Sequence, residues 1–292
     1  MGQSNRFNTP AGRVFDVFNV GLLAAVGLLA VVPFLYVLAA SFATDAEITT
    51  RPFFLWPNEF ATTAYESILT SGSFLRSLLT TILVTAAGTA VQLGLTVLTA
   101  YPLSKVKLPF RRTILSLIVF TMVFSAGMIP TFLIVKELGL LNTYWALILP
   151  AAINPFSLII IKNFFQGLPA ELEESARIDG AGEFRVLWSV ILPLSKPVLA
   201  TFGLFYAVGL WNDYMSPLLY LSDQNMWTLQ MVLRQVTAAA GLTADQFDSS
   251  VPPPEQAVKF AIIIVATIPV LLAYPFLQKH FAKGMLIGSV KG

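Results

Sequence analysis

The sequence contains no cysteine, a single histidine and few charges. Without cysteine there is no disulfide scaffold, no thiol catalysis and no iron–sulfur or zinc–thiolate site, and His280 alone builds no histidine metal cluster. Eighteen basic and sixteen acidic residues give a net charge of +2, and no basic run carries interleaved aromatics, which argues against nucleic acid as a partner. There is no G-x-x-x-x-G-K-[ST] stretch and no Gly-Lys dipeptide, so the chain has no phosphate-wrapping loop of its own. Its Ser, Asp and His residues form no triad pattern. Apolar side chains are abundant instead: 56% hydrophobic and only 12% charged, against roughly 45–50% and about 25% in soluble domains. With a mean hydropathy of +0.73, this is the composition of a membrane protein.

A bilayer core requires about 20 mostly apolar residues per helix. Six such stretches are expected, at about 14–41, 75–101, 113–135, 144–165, 197–221 and 258–278, within one transmembrane domain covering 1–292. The central block of the first, residues 21–40, is uncharged and longer than the 7–15 residues of a cleaved signal's apolar region, so it reads as a retained anchor. Lys and Arg fix the orientation, because cytoplasmic loops retain them. With the N-terminus inside, thirteen of the eighteen fall on the cytoplasmic side and five (Arg51, Arg76, Lys136, Arg234 and Lys259) on the other, so both termini are expected in the cytoplasm. Gly127, Pro130, Pro150, Pro155, Pro269 and Pro275 interrupt the spans, either as kinks around a pathway or as ordinary membrane-helix composition.

Between the fourth and fifth spans, residues 166–196 carry organised sequence. Pro169 and a run of carboxylates lead into Arg177, the charge order that complements a helix dipole, and Gly180 supplies a stop. A second short amphipathic stretch, 183–191, ends before Pro193. Two short helices around a Gly turn make a cytoplasmic knob. Its apolar residues Phe184, Leu187 and Trp188 either dock into a groove on a cytosolic partner or lie among lipid headgroups. Five acidic to four basic residues in 162–196 weigh slightly against a lipid-seeking hairpin.

The string Glu174-Ser175-Ala176-Arg177-Ile178-Asp179-Gly180, then nine residues, then Val190-Ile191-Leu192-Pro193, resembles the EAA loop of ATP-binding-cassette importer permeases. Ser175 stands for the family's middle Ala and Val190 for its Ile; both changes are small and keep the helix and its ridge. The resemblance covers nearly the whole chain. Trp211-Asn212-Asp213-Tyr214, the segment 217–221 and the ending Gly288-Ser289-Val290-Lys291-Gly292 are similar to the second permease of carbohydrate importers of the maltose type. The outer loop and tail are most similar to a subgroup handling uronate-rich oligosaccharides such as pectin or alginate fragments. The resemblance implies an all-α type I importer permease of the bacterial inner membrane. It implies as partners a second permease, two ATPase subunits that hold ATP and Mg, and an external solute-binding protein. The chain itself would bind no cofactor or metal and catalyse nothing. Glu173, Glu174, Ser175, Ala176, Asp179, Gly180, Phe184, Leu187 and Trp188 would dock the ATPase, and the tail residues Val290, Lys291 and Gly292 would touch it.

Polar residues within spans are costly in lipid and face either a cavity or a packing partner. Asn154, Trp211, Asn212, Asp213 and Tyr214 are therefore candidates for the substrate pathway, with helix packing and an aromatic belt as the competing roles. If the substrate is anionic, Asp213 should be bonded internally, since like charges in a partly dry cavity repel strongly. The outer loop 222–257 is long for a helix connection; the resemblance implies that it touches the solute-binding protein, the alternative being a surface hairpin over the outer mouth. The rival architecture is a self-contained secondary transporter or channel using Asp16 and Asp213, although Asp16 lies at the edge of its span, a poor place for a midplane relay.

Overall fold

Among the described residues, α1 (Pro10–Ser41) and α4 (Gly72–Ser104) are the two continuous helices long and apolar enough to cross a membrane. They belong to a computed structural model that describes residues 10–239 and 256–288, in which every regular element is helical. The chain divides into two compact units: Met1–Ser71 with Val236–Val265, and Gly72–Gln235 with Ala266–Gly292.

In the first unit α1 leads to two short helices, α2 (Asp45–Thr50) and α3 (Thr63–Thr70). Thr44 caps α2, and the buried Glu47 carboxylate binds the Arg51 guanidinium and accepts from the Asn58 backbone N–H at 3.0 and 3.1 Å. Burial raises its pKa, but these donors outweigh that and hold it below the ordinary carboxylate range. Tyr36 packs among Phe53, Phe54 and Phe260, with ring centroids 5.6–5.8 Å away.

The second unit is built on α4, which packs against α8 (Pro155–Gln166) and α12 (Lys196–Asn212). Ser and Thr are poor helix formers in water, yet here Thr81 and Thr96 donate to the carbonyls of Ser77 and Gln92 one turn back. Thr96 also meets the Tyr206 hydroxyl of α12 at 2.8 Å. At Gly88 the helices approach closely: a Cβ there would lie 2.6 Å from Leu210 and 3.3 Å from Ile148.

Three of the expected spans are interrupted. Residues 113–135 form α5 (Arg111–Val123) and α6 (Met128–Glu137), bent by 117° where Phe124 is extended and Gly127 takes φ +85°. Residues 144–165 form α7 (Trp145–Ile148) and α8, because Pro150 and Pro155 cannot donate to a helical ladder, and Asn154 caps the restart. In 197–221, α12 stops at Asn212 and α13 (Met215–Tyr220) begins after Asp213. Beyond Tyr220, Leu229 donates to Thr81 Oγ1 at 2.7 Å and starts α14 (Leu229–Ala239). The last helix, α15 (Gln256–Gly288), passes from the first unit into the second.

Candidate functional site

The knob begins with α9 (Ala170–Ile178), which has Glu171 and Glu173 in its first turn and Arg177 in its last, matching the macrodipole at both ends. Gly180, at φ +80°, closes it: the Gly180 and Ala181 N–H groups donate to Arg177 O and Ala176 O at 3.0 and 2.9 Å. α10 (Glu183–Val186) follows and runs through a π-helical turn (Leu187–Ile191) into α11 (Leu192–Leu194). Pro193 lacks an N–H for the Ser189 carbonyl, and Leu192 instead donates five residues back to Leu187; a π turn accommodates that shift. Across Ser195 the chain turns by 85° into α12.

An ion network ties this knob to the end of α4. Glu183 accepts from Arg177 Nε at 3.0 Å and from the Tyr101 hydroxyl at 2.8 Å. Arg177 also reaches Glu173 at 3.3 Å, and Glu173 pairs with Lys105, whose ammonium lies 4.2 Å over the Tyr101 ring. Hydrogen bonds from Arg177 and Tyr101 hold the Glu183 carboxyl below its usual range, and Glu183 in turn raises the Arg177 guanidinium. Tyr101 and Lys105 escaped sequence reading as partners of the knob, and Glu183, read as the start of its second stretch, was given no bonding role. Only Glu183 lay in the knob's own sequence, and nothing in the spacing of 101 and 105 points to residues some seventy or eighty positions later.

With Glu173 and Glu183 bonded to Lys105, Arg177 and Tyr101, the knob leaves apolar side chains outward. Ile178, Phe184 and Trp188 are 86, 81 and 77% exposed. Leu187, expected beside them, is instead 4% exposed and packs with Tyr101, Val186 and Ile191 in the core; on a helix, 184 and 188 share a face and 187 turns away from it. Glu174, Ser175, Asp179 and Gly180 are exposed, whereas Ala176 packs against that core and Glu173 is held in the network. Beside the knob, Leu98, Pro102, Leu108, Phe184 and Leu187 line a cavity of about 370 Å³ rimmed by Lys105, Lys107 and Glu183.

The pathway candidates are placed differently. Asn154 Oδ1 caps α8 by accepting from Ser157 N at 3.1 Å. Trp211 is 6% exposed and donates Nε1–H to Ala266 O at 3.0 Å. Asn212 donates back to Val208 O, and Asp213 Oδ1 accepts from the Met215 and Ser216 N–H groups at 3.0 and 3.1 Å. Tyr214 lies under the Arg234 guanidinium, 4.6 Å from its ring centroid. Asn142, at φ +60°, accepts from Ser222 N and Asp223 N and anchors the start of the outer loop. Residues 240–255 of that loop, and Val290, Lys291 and Gly292, lie outside the described residues.

Residues 5–287 match the family described as binding-protein-dependent transport system inner membrane component. The chain belongs to that family. It is a permease subunit of a binding-protein-dependent importer of the inner membrane, with the type I fold and with ATP hydrolysis assigned to a separate subunit; the self-contained transporter is set aside. It is 60% identical over 287 residues to protein LplC of Bacillus subtilis (strain 168), covering 98% of this chain and 97% of that protein. It is 53% identical over 283 residues to the polygalacturonan/rhamnogalacturonan transport system permease protein YtcP of the same organism, covering 96% and 99%. A crystal structure of a bacterial ABC transporter involved in the import of the acidic polysaccharide alginate matches with a TM-score of 0.87 at 34% identity, over 95% of this chain and 100% of that one.

Proposed function

We propose that this permease serves an ATP-driven sugar importer whose cargo is an acidic oligosaccharide, and that it couples to the ATPases through the α9–α10 knob. The observation that carries the coupling is the exposed trio Ile178, Phe184 and Trp188 on a knob braced against α4 by Tyr101, Lys105 and Glu173. An exposed apolar cluster on a rigid mount suits a groove on a cytosolic partner and transmits motion rather than absorbing it. Glu174, Ser175 and Asp179 supply a polar rim, and the tail residues Val290, Lys291 and Gly292 add a second contact. ATP and Mg reside on two partner ATPases, a second permease completes the pathway, and an external solute-binding protein delivers the sugar.

In this reading both termini are cytoplasmic and six spans cross the membrane, with α5–α6, α7–α8 and α12–α13 each a broken span. The acidic cargo is supported by the relatives named for polygalacturonan/rhamnogalacturonan and alginate. It is also compatible with Asp213, whose charge is engaged by two backbone N–H groups. Alternating access follows from ATP-driven closure of the ATPases, which moves the knob and rocks the spans.

The test is affinity purification of the tagged chain from its host, followed by ATPase assay with the co-purifying binding protein. Oligogalacturonates should stimulate hydrolysis and maltooligosaccharides should not; stimulation by the neutral series alone overturns the acidic cargo. Gly180→Pro and Glu174→Lys should each abolish uptake while the protein still inserts, and normal uptake in both variants would sink the docking role.

A further inference from the structure

The cavity beside the knob has walls that other bonds already fix. Tyr101 near the end of α4 is bonded to Glu183, Lys105 just past it pairs with Glu173, and Leu187 is buried in the core. The hollow is therefore preformed, as binding pockets are. Leu98, Pro102, Leu108 and Phe184 make its lining apolar, and all but Leu108 are exposed, so its mouth is open. At about 370 Å³ it stands at the low end of the roughly 300–1,000 Å³ of ligand pockets, room for one or two large side chains rather than a folded segment. Val106 and Phe110 on the adjoining loop, 105–110, are exposed as well and extend the apolar surface. An open apolar hollow with an apolar margin is the form of a surface that a partner covers.

Charge at the rim says what kind of partner. No acidic residue stands between Glu66 and Glu137, so the cations of the 105–110 loop can be answered only from other elements. Glu173 answers Lys105, while Arg177 and Tyr101 engage Glu183. Lys107 is exposed and pairs with no carboxylate among the described residues. The rim is left with one uncompensated positive charge beside an apolar hollow, which complements an apolar side chain flanked by a carboxylate.

We propose that this cavity is the second half of the ATPase interface: an aromatic or large aliphatic side chain of the ATPase enters between Leu98, Pro102 and Phe184, and a carboxylate next to it on the same ATPase surface pairs with Lys107. The inference rests on the docking role proposed above for the knob. Phe184 belongs to both surfaces, since it lines the cavity and shares an exposed helix face with Trp188, so an ATPase seated on the knob lies over the mouth. Insertion in this direction grips the end of α4 itself, and ATPase closure then pulls on α4 directly as well as through the Tyr101 and Lys105 braces. Most of the affinity resides in the buried anchor, and the Lys107 pair at the rim sets salt dependence more than strength.

The experiment measures how much ATPase the tagged, purified complex retains in detergent as the salt concentration is raised, with thermal unfolding of each variant as the folding control. Leu98→Trp and Leu108→Trp fill the hollow from α4 and from the loop, and each should lower ATPase affinity about tenfold at unchanged unfolding temperature. Lys107→Gln should lower it about two- to threefold and flatten its salt dependence, and Lys107→Arg should restore both. Trp188→Asp, outside the cavity lining, reports on knob docking alone. Release of ATPase by Trp188→Asp with parental retention in both filling variants leaves the knob docked and overturns the cavity, whereas parental retention in all three overturns both readings. Because the chain has no cysteine, Val106→Cys can carry a single benzophenone label on it. A crosslink to the ATPase beside one of its acidic residues is expected; a crosslink only to lipid or to the second permease overturns the ATPase as occupant.

Discussion

The knob and the 211–214 segment are both rich in polar and aromatic groups, yet they use them in opposite ways. In the knob the charges bond across elements, Glu183 to Tyr101 and Glu173 to Lys105, and the hydrophobes Ile178, Phe184 and Trp188 are left outside. In 211–214 the polar groups are satisfied within a few residues, Asn212 by Val208 and Asp213 by Met215 and Ser216, while Trp211 is turned inward to Ala266. A surface that spends its charges on bracing itself and exposes apolar side chains is prepared for a partner. A segment that satisfies its own polar groups locally is prepared to hold a helix break in a low-dielectric surrounding.

The comparison is broken most severely from the knob side. Replacing Phe184 and Trp188 together by Asp should lower uptake by on the order of 100-fold, the loss expected when anchor side chains worth at least ~2 kcal/mol are removed from an interface. Insertion and unfolding temperature should be unchanged, because neither side chain is buried. Copurification of ATPase in undiminished yield would show that the exposed cluster is not the contact. Trp211→Ala should behave inversely: stability falls by roughly 3 kcal/mol, the low end for a buried Trp, since in a bilayer lost packing rather than transfer from water sets the penalty. ATPase copurification should survive wherever the complex still folds, as read by thermal unfolding in detergent against yield of the ATPase.

How much of this was legible beforehand differs between the same two regions. The knob's helices, Gly turn and exposed aromatics followed from local signals: Pro169, the Glu run, Arg177 and Gly180 each act within a turn of themselves. Leu187 was misassigned to the ridge because three- and four-residue spacings both count as one helix face until burial separates them. The bracing by Tyr101 and Lys105 was invisible, since a long-range ion pair leaves no pattern in sequence. In the membrane region the apolar stretches were plain, but hydropathy is blind to backbone direction. Thus the 117° bend at 124–127 and the break at Asp213 required the structure, although Gly127 and Pro130 marked the first of them.

A smaller effect tests the bracing itself. Arg177→Met removes the link joining Glu173 and Glu183, but both Arg177 and Glu183 are substantially exposed, so the stability loss should not exceed ~1 kcal/mol. Uptake should nonetheless drop several-fold, because a knob loosened from α4 moves without carrying the spans along. Glu183 has a depressed pKa in the folded protein, so its contribution is complete above the unfolded carboxyl value of about 4.3 and disappears only as pH falls through the lower folded value. Coupling measured as sugar-stimulated ATPase should therefore be insensitive to this group between pH 6 and 8. A Glu183-dependent inflection inside that window would mean that Arg177 and Tyr101 do not hold the carboxylate.

The smallest effect is expected at the residue whose chemistry looks most suggestive. Asp213→Asn keeps an Oδ1 that can accept from Met215 and Ser216, and Asn caps a helix start about as well as Asp, so stability should change by less than ~0.5 kcal/mol. Asp213→Ala removes the acceptor and should cost about 1 kcal/mol. If Asp213 only caps α13, uptake of oligogalacturonate by Asp213→Asn should stay within a factor of two of the parent and its preference over neutral sugars should not move. A large gain for acidic cargo on neutralising this one charge would mean that the carboxylate faces the pathway after all. The 211–214 segment would then resemble the knob in presenting its chemistry outward, and the contrast between the two regions would fail at its weakest residue.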